Sequence, residues 1–254
     1  MLRFRSLAIA VALISVPASA LAAAEPVTLS AAVALPGRDA ELVKLDESRK
    51  PAQLLGFFGV KPGMAVIDMF GGNRYWAEIL APAVGPQGKV FVWEPTQFYD
   101  DKAKAAFEAF AAKNPNVSIV ATPFEALQLP ANSADFMLIN LDYHDVYWEN
   151  AKYGVKRMEP ATFLKTVYDA VKPGGVVGVV DHAASPGGDT RAVVDKLHRI
   201  DPAVVKADFE RAGFKLEAES DLYRNAADDH SLLVFDPKIR GKTDRFVMKF
   251  RKPR

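Results

Sequence analysis

The sequence predicts an α/β chain built on a doubly wound, mostly parallel sheet with helices on both faces. Three observations carry this. Short apolar runs alternate with helix-period stretches from residue 65 to residue 250, the order that builds a parallel sheet. The run Val176–Val180 is apolar without interruption, as a strand covered on both faces is. And Ala65–Glu94 reads as one βαβ unit: an apolar run ending on Asp68, the glycine pair Gly71-Gly72, a helical pattern (Tyr75, Trp76, Ile79, Leu80), then the run Val90–Trp93 ending on Glu94. Glycines let the backbone approach a ligand, the helix start offers free N–H groups, and an acid at the second strand's end can accept from both hydroxyls of a ribose.

In chain order, Met1–Arg5 carries two cations, and Leu7–Ala24 is apolar with small residues in A-x-A spacing near its end. That reads as a signal peptide over 1–24, cleaved between Ala20 and Glu25 and leaving a periplasmic or secreted product. There is no Arg-Arg pair, so general secretion is expected. No later apolar run approaches the about 20 residues of a membrane span, so no stable membrane insertion is expected after cleavage. Cysteine is absent, which excludes disulfides and thiolate metal sites. The 32 basic and 31 acidic residues fall to 30 and 31 once Arg3 and Arg5 are gone, a balance that gives nucleic acid no basic face to bind.

Residues 25–50 read as a leader and a helix, with the main domain over 51–254. Glu25–Pro36 shows no clear period, Asp39–Phe58 is helical with a restart at Pro51, and Val60–Gly63 is a turn. Beyond Glu94 follow a helix Asp100–Lys113, strands Val117–Ala121 and Ala134–Leu141, and a helix Phe163–Val171 halted at Lys172–Gly175. The strand Val176–Val180 comes next, then helices Thr190–His198 and Pro202–Ala212 and strands Phe214–Leu222 and Phe246–Phe250. The polar stretch Arg224–Asp244 is long for a loop; such loops are functional or disordered.

This order of elements resembles the class I, Rossmann-like S-adenosylmethionine (SAM) methyltransferases over roughly Pro51–Pro253. The resemblance rests on the Asp68 glycine turn, Glu94, Glu125 in TPFEALQLP and the stretch VKPGGVVGVVDH. More narrowly it is similar to an exported branch of predicted methyltransferases, through DYHD (Asp142–Asp145), HRIDPAVVKADFERAGF (His198–Phe214), RNAADDH and FDPKIRGKTDRF. The resemblance implies a seven-stranded sheet with its last strand antiparallel. It also implies SAM as cofactor, with Asp68, Gly71 and Gly72 along its methionine part, Glu94 on the ribose and Glu125 by the adenine; Arg74, near the helix start, reads either as a clamp on the carboxylate of SAM's methionine part or as a plug paired with Asp68 or Glu78. Asn140–Tyr143 echoes the Asn-Pro-Pro-Tyr element of amino-group methyltransferases, without its prolines. The glycine loop departs from the acid-x-Gly-x-Gly-x-Gly pattern: Phe70 and Arg74 stand at its outer glycines. A side chain at a left-handed position costs about 1–2 kcal/mol, so a reshaped loop is expected.

For chemistry, His144 stands between Asp142 and Asp145 just past the fourth strand, on the side where open α/β sheets bind ligands. A histidine beside a carboxylate suits a general base, and Asp142 and Tyr143 join it as candidate catalytic residues. Tyr143, Tyr147 and Trp148 read equally as a substrate wall or as core packing. His144, His182 and His230 with Asp142 or Asp229 are a metal alternative, but histidines so far apart carry no ligand-spacing signal, and no metal is expected. His198-Arg199 with Asp201 reads as a helix junction. Two functions follow: a SAM-dependent methyltransferase acting on a small molecule, or a fold that has lost methyl transfer and serves as a periplasmic ligand-binding or metal-assisted hydrolytic protein. The oligomeric state has no signal in the sequence.

Overall fold

The computed structural model describes residues 27–254, so the segment read as a signal peptide lies outside the described residues. The leader is more ordered than its lack of period implies. It forms α1 (Leu29–Val33), whose first turn is capped by the Thr28 hydroxyl accepting from Ala31 N at 3.2 Å. The stretch read as one kinked helix is three: α2 (Ala40–Val43), α3 (Asp46–Arg49) and α4 (Pro51–Phe58). Lys50 takes a left-handed backbone (φ 38°) and Pro51, which has no N–H to donate, opens α4.

The main domain runs β1 (Ala65–Met69), α5 (Tyr75–Val84), β2 (Lys89–Pro95), α6 (Asp101–Lys113), β3 (Val117–Thr122), β4 (Ala134–Asn140), α7 (Pro160–Ala170) and β5 (Val171–His182). It closes with α8 (Thr190–Leu197), α9 (Pro202–Arg211), β6 (Lys215–Ser220) and β7 (Arg245–Arg251). The seven strands lie in the order β3-β2-β1-β4-β5-β7-β6. Pairing is parallel from β3 through β5, and β7 is antiparallel to both its neighbours, as the resemblance implied. β5 starts five residues earlier than its apolar run. Gly174 takes φ 81° and donates to Lys252 O, and the pairing with β4 slips between Ala134 and Phe136, so the Lys-Pro-Gly-Gly stretch stays in the sheet.

One sheet face packs Trp93, Phe124, Phe163 and Phe209, and the other packs Leu54, Phe58, Trp76 and Leu80. The second face is close enough that a Cβ at Gly178 of β5 would meet the Phe58 ring at 2.6 Å, which is why that position is glycine. Strand order reverses between β1 and β4. The reversal leaves a crevice beyond their carboxyl ends, where the candidate residues gather.

Candidate active site

The loop after β1 takes a left-handed backbone at three alternate positions, only one of which is glycine. Phe70 (φ 55°), Gly72 (φ 52°) and Arg74 (φ 68°) are all left-handed. The expected reshaping is thus in the side chains. Phe70 turns away from the crevice into the core, with its ring edge-on to Trp93 at 4.8 Å and 5.8 Å from Phe124. Arg74 turns to the N-terminal segment, 3.9 Å from Asp39. Gly71 lies so close to β2 that a Cβ would overlap Val92 Cγ1, and its N–H donates to Trp93 O at 2.9 Å. The Gly72 N–H donates to Glu94 Oε2 at 2.7 Å, so the acid ending β2 fastens the turn with one oxygen. Its other oxygen has no hydrogen-bond partner among the described residues.

Asp68 and Glu94 are both buried, and Asp68 Oδ2 has no hydrogen-bond partner. Burial, then the Glu94 charge, pushes the Asp68 carboxyl up to about 8, against the pull of Arg49. Burial likewise lifts Glu94 to about 7, opposed by the Gly72 hydrogen bond. Asp142, two residues past β4, is raised well above the carboxylate range by burial and then by Asp145. The crevice therefore collects acids faster than it supplies cations. Arg49, half-buried and stacked on Tyr75 at 4.4 Å, is the cation whose charge reaches both Asp68 and Asp142.

Beyond β4 and β5 opens a cavity of about 450 Å³ lined by Asp142, His144, Asp145 and His198, with Phe98, Trp148 and Phe235 among its apolar walls. His144 is buried and held twice by Asp181: its backbone N–H and its Nδ1 each lie 2.8 Å from a different Asp181 oxygen. Its Nε2 faces His198 Nδ1 at 3.3 Å and Asp145 Oδ1 at 3.4 Å. Burial pulls the His144 imidazole down, but Asp181, Asp145 and Asp142 outweigh it and hold it up at about 10.

The other expected residues divide. Asn140 ends β4, buried, at the crevice. Tyr143 leaves it: the hydroxyl donates to Asp208 at 2.9 Å, beneath α9, while Trp148 does line the cavity. Glu125 is tied to Lys156 at 2.6 Å and to Gln97 at 2.8 Å, and it is not among the residues lining the cavity. His182 bonds Thr243 at 2.7 Å, and His230 lies 3.0 Å from Asp244, so the distant-histidine set does not assemble. His198 takes its place. It ends α8 in a left-handed turn (φ 50°), a position with no sequence signal beyond the HRIDP stretch itself. Arg49 and Phe235 were likewise invisible as site residues, since chain folding alone brings them in, whereas Asp181 ends the apolar run of β5 on the ligand side and its hold on His144 is what the sequence does not show.

No protein-family model matches the chain, and no curated protein matches it. Solved structures are similar to it. A SAM-dependent methyltransferase from Aquifex aeolicus matches with a TM-score of 0.56 and 20% identity, covering 84% of this chain and 97% of its own. One from Mesorhizobium loti gives 0.57 and 16%, over 82% and 100%. The 1,6-didemethyltoxoflavin-N1-methyltransferase of Burkholderia thailandensis, solved with 1,6-didemethyltoxoflavin and S-adenosylhomocysteine, gives 0.53 and 16%, over 85% and 80%. These likenesses establish the fold, the Rossmann-like seven-stranded architecture of the class I methyltransferases. Function has to be argued from the site.

Proposed function

We propose that the chain is a SAM-dependent methyltransferase acting on a small-molecule acceptor seated in the cavity beyond β4 and β5, and that it works after export. The observation that carries this reading is the pair of buried acids at the ends of β1 and β2. One oxygen of Asp68 has no partner, and one oxygen of Glu94 holds the glycine turn while the other has none among the described residues. A buried acceptor without a donor costs about 1–3 kcal/mol, which applies to Asp68 Oδ2, and the second Glu94 oxygen is left open to a donor, so the pair calls for a donating, cationic ligand. SAM fits them: its ribose hydroxyls donate, and its ammonium and sulfonium are positive. Glu94 would hold the ribose and Asp68 would face the ammonium end. Arg74 and Phe70 have no part in the cofactor set proposed here.

When bound, SAM supplies a methyl group on a positively charged sulfur. The chain's own task is then to place an acceptor in line with it and keep water out. Asp142 lines the cavity within reach of the Glu94 charge and would orient the acceptor there, while Phe98, Trp148 and Phe235 supply apolar walls for it.

Calorimetry with SAM and with S-adenosylhomocysteine tests the reading. We expect one molecule bound per chain. Glu94→Gln should weaken binding about 10- to 100-fold, since a hydrogen bond to a charged group contributes roughly 1.5–3 kcal/mol. The amide still accepts from Gly72, so the unliganded fold is kept. No heat with either ligand would overturn the proposal.

A further inference from the structure

We propose that His144 Nε2, Asp145 Oδ1 and His198 Nδ1 form a three-ligand site for a zinc-like divalent ion whose fourth position opens into the cavity beyond β4 and β5. The three atoms lie 3.3, 3.4 and 3.7 Å apart. A tetrahedral ion with bonds of about 2.0–2.2 Å sets its ligand atoms about 3.3–3.6 Å apart, whereas an octahedral one brings neighbouring ligands to about 3 Å. Two of the spacings fall in the tetrahedral range and the third lies just beyond it, while none is near the octahedral value. Two imidazole nitrogens and one carboxylate oxygen are also the donor set of a zinc site that keeps a position open.

Two further features point to an ion. Asp145 Oδ1 is buried without any hydrogen-bond partner, and the two ring nitrogens facing it stand off at 3.4 and 3.7 Å, wider than the roughly 2.7–3.2 Å of a usual hydrogen bond and as they would across a shared ion. Behind His144, Asp181 holds Nδ1 at 2.8 Å and is itself fully buried. A carboxylate on the far nitrogen of a histidine ligand fixes the ring and its tautomer and leaves Nε2 for the metal. His198 is positioned with equal care. Its ring packs between Trp148 (5.3 Å) and Phe235 (5.1 Å), and its backbone is held left-handed, a cost of the kind found where geometry serves a site. The adjacent cation, Arg199, is turned away and fully engaged by Asp228 at 2.8 and 3.0 Å. It leaves the cluster its negative charge.

All three ligating residues line the cavity, so the open position faces whatever binds there. In the methyltransferase reading, on which this extension alone rests, it would take an oxygen or nitrogen of the acceptor and ease loss of its proton. Metal binding itself does not depend on SAM.

The test uses the full chain, stripped with a chelator and titrated with Zn²⁺, with Co²⁺ as a spectroscopic reporter. We expect one ion per chain and the intense visible bands of four-coordinate Co²⁺. Asp181→Asn should weaken zinc binding by about 10- to 100-fold, as loss of an outer partner does, and loss of a ligand should cost more. His198→Gly is the decisive variant, because glycine takes φ 50° freely, which offsets part of the packing lost with the ring, and its ion-free melting temperature checks that the fold is kept. It should lose the ion, as should Asp145→Asn, while His230→Asn should bind as the unmutated chain does. Failure of the unmutated chain to bind zinc, or equal binding by His198→Gly, would overturn the site. Weak, six-coordinate Co²⁺ bands would overturn its tetrahedral assignment.

Discussion

Positions 70, 72 and 74 share a backbone that glycine would take freely, and two of them carry side chains on it. All three are left-handed, and Phe70 and Arg74 accept about 1–2 kcal/mol each for it. Phe70 recovers this through its aromatic contacts in the core, whereas Arg74 has only an ion pair at 3.9 Å, of a kind worth about 0–1 kcal/mol. Arg74→Gly should therefore leave stability within about 1 kcal/mol and SAM affinity unchanged; a large loss of affinity would place the guanidinium on the ligand after all. The acids beside the loop make a second prediction. Asp68 and Glu94 sit at about 8 and about 7 when folded, above their ordinary 3.8 and 4.5, so the native state keeps protons that the unfolded chain has released. Stability is then greatest below about pH 4 as far as these groups are concerned, and it is lost as pH rises through 7 and 8. The melting temperature of the ligand-free protein should fall between pH 5.5 and 8.5, and Asp68→Asn should flatten that fall. An unchanged slope in the variant would mean the pair ionises freely in the fold.

Among the elements, the segment between β6 and β7 has no regular structure, yet it walls the cavity through Val234 and Phe235. What orders it is Arg199, fully buried, whose guanidinium forks onto Asp228 and also donates to Leu232 O at 2.9 Å. Asp228 in turn accepts from Asp244 N at 2.7 Å, closing the loop on itself. Breaking a buried ion pair from one side strands a charge and costs about 3–5 kcal/mol. Asp228→Ala should lower stability by about that much and speed amide exchange over residues 228–244 first. Uniform exchange across the sheet would assign the pair to global stability instead. This segment also marks what a linear reading can reach. The strands, and the acids Asp68, Glu94 and Asp142 at their ends, were legible because an apolar run fixes where a strand stops and a parallel sheet gathers those stops on one edge. Helix α1 was not, since five residues show no period, and β5 was hidden by a Gly-Gly stretch that reads as a turn. His198 and Phe235 were beyond reach for a different reason: His198 meets His144, and Phe235 meets His198, across dozens of residues, through packing that no local pattern encodes.

At the scale of the whole molecule, the segment before β1 completes the site as well as covering the sheet. Its anchors are spread along it. The Val27 N–H donates to Pro82 O at 3.3 Å, and Arg38 forks onto Asp46 at 2.7 and 2.9 Å. Asp46 accepts from the Tyr75 hydroxyl at 2.8 Å, and the Tyr223 hydroxyl donates to the Arg49 carbonyl. The product is Arg49 stacked on Tyr75, the cation whose charge reaches Asp68 and Asp142. Cleavage of a signal peptide between Ala20 and Glu25 would leave every one of these anchors in place, so a chain beginning at Glu25 should fold and bind SAM as the full chain does. A chain beginning at Pro51 keeps all seven strands but loses Arg38, Asp46 and Arg49. It should expose Tyr75 and Trp76, melt lower, and bind SAM more weakly than Arg49→Met in the full-length frame. The point variant separates charge from cover: it removes the cation and retains the helices, and should weaken SAM binding about 10-fold on the scale of one charged interaction. Equal SAM affinity in the chain from Glu25 and the chain from Pro51 would show that the segment only covers the sheet, and that the acids at the strand ends hold the cofactor without it.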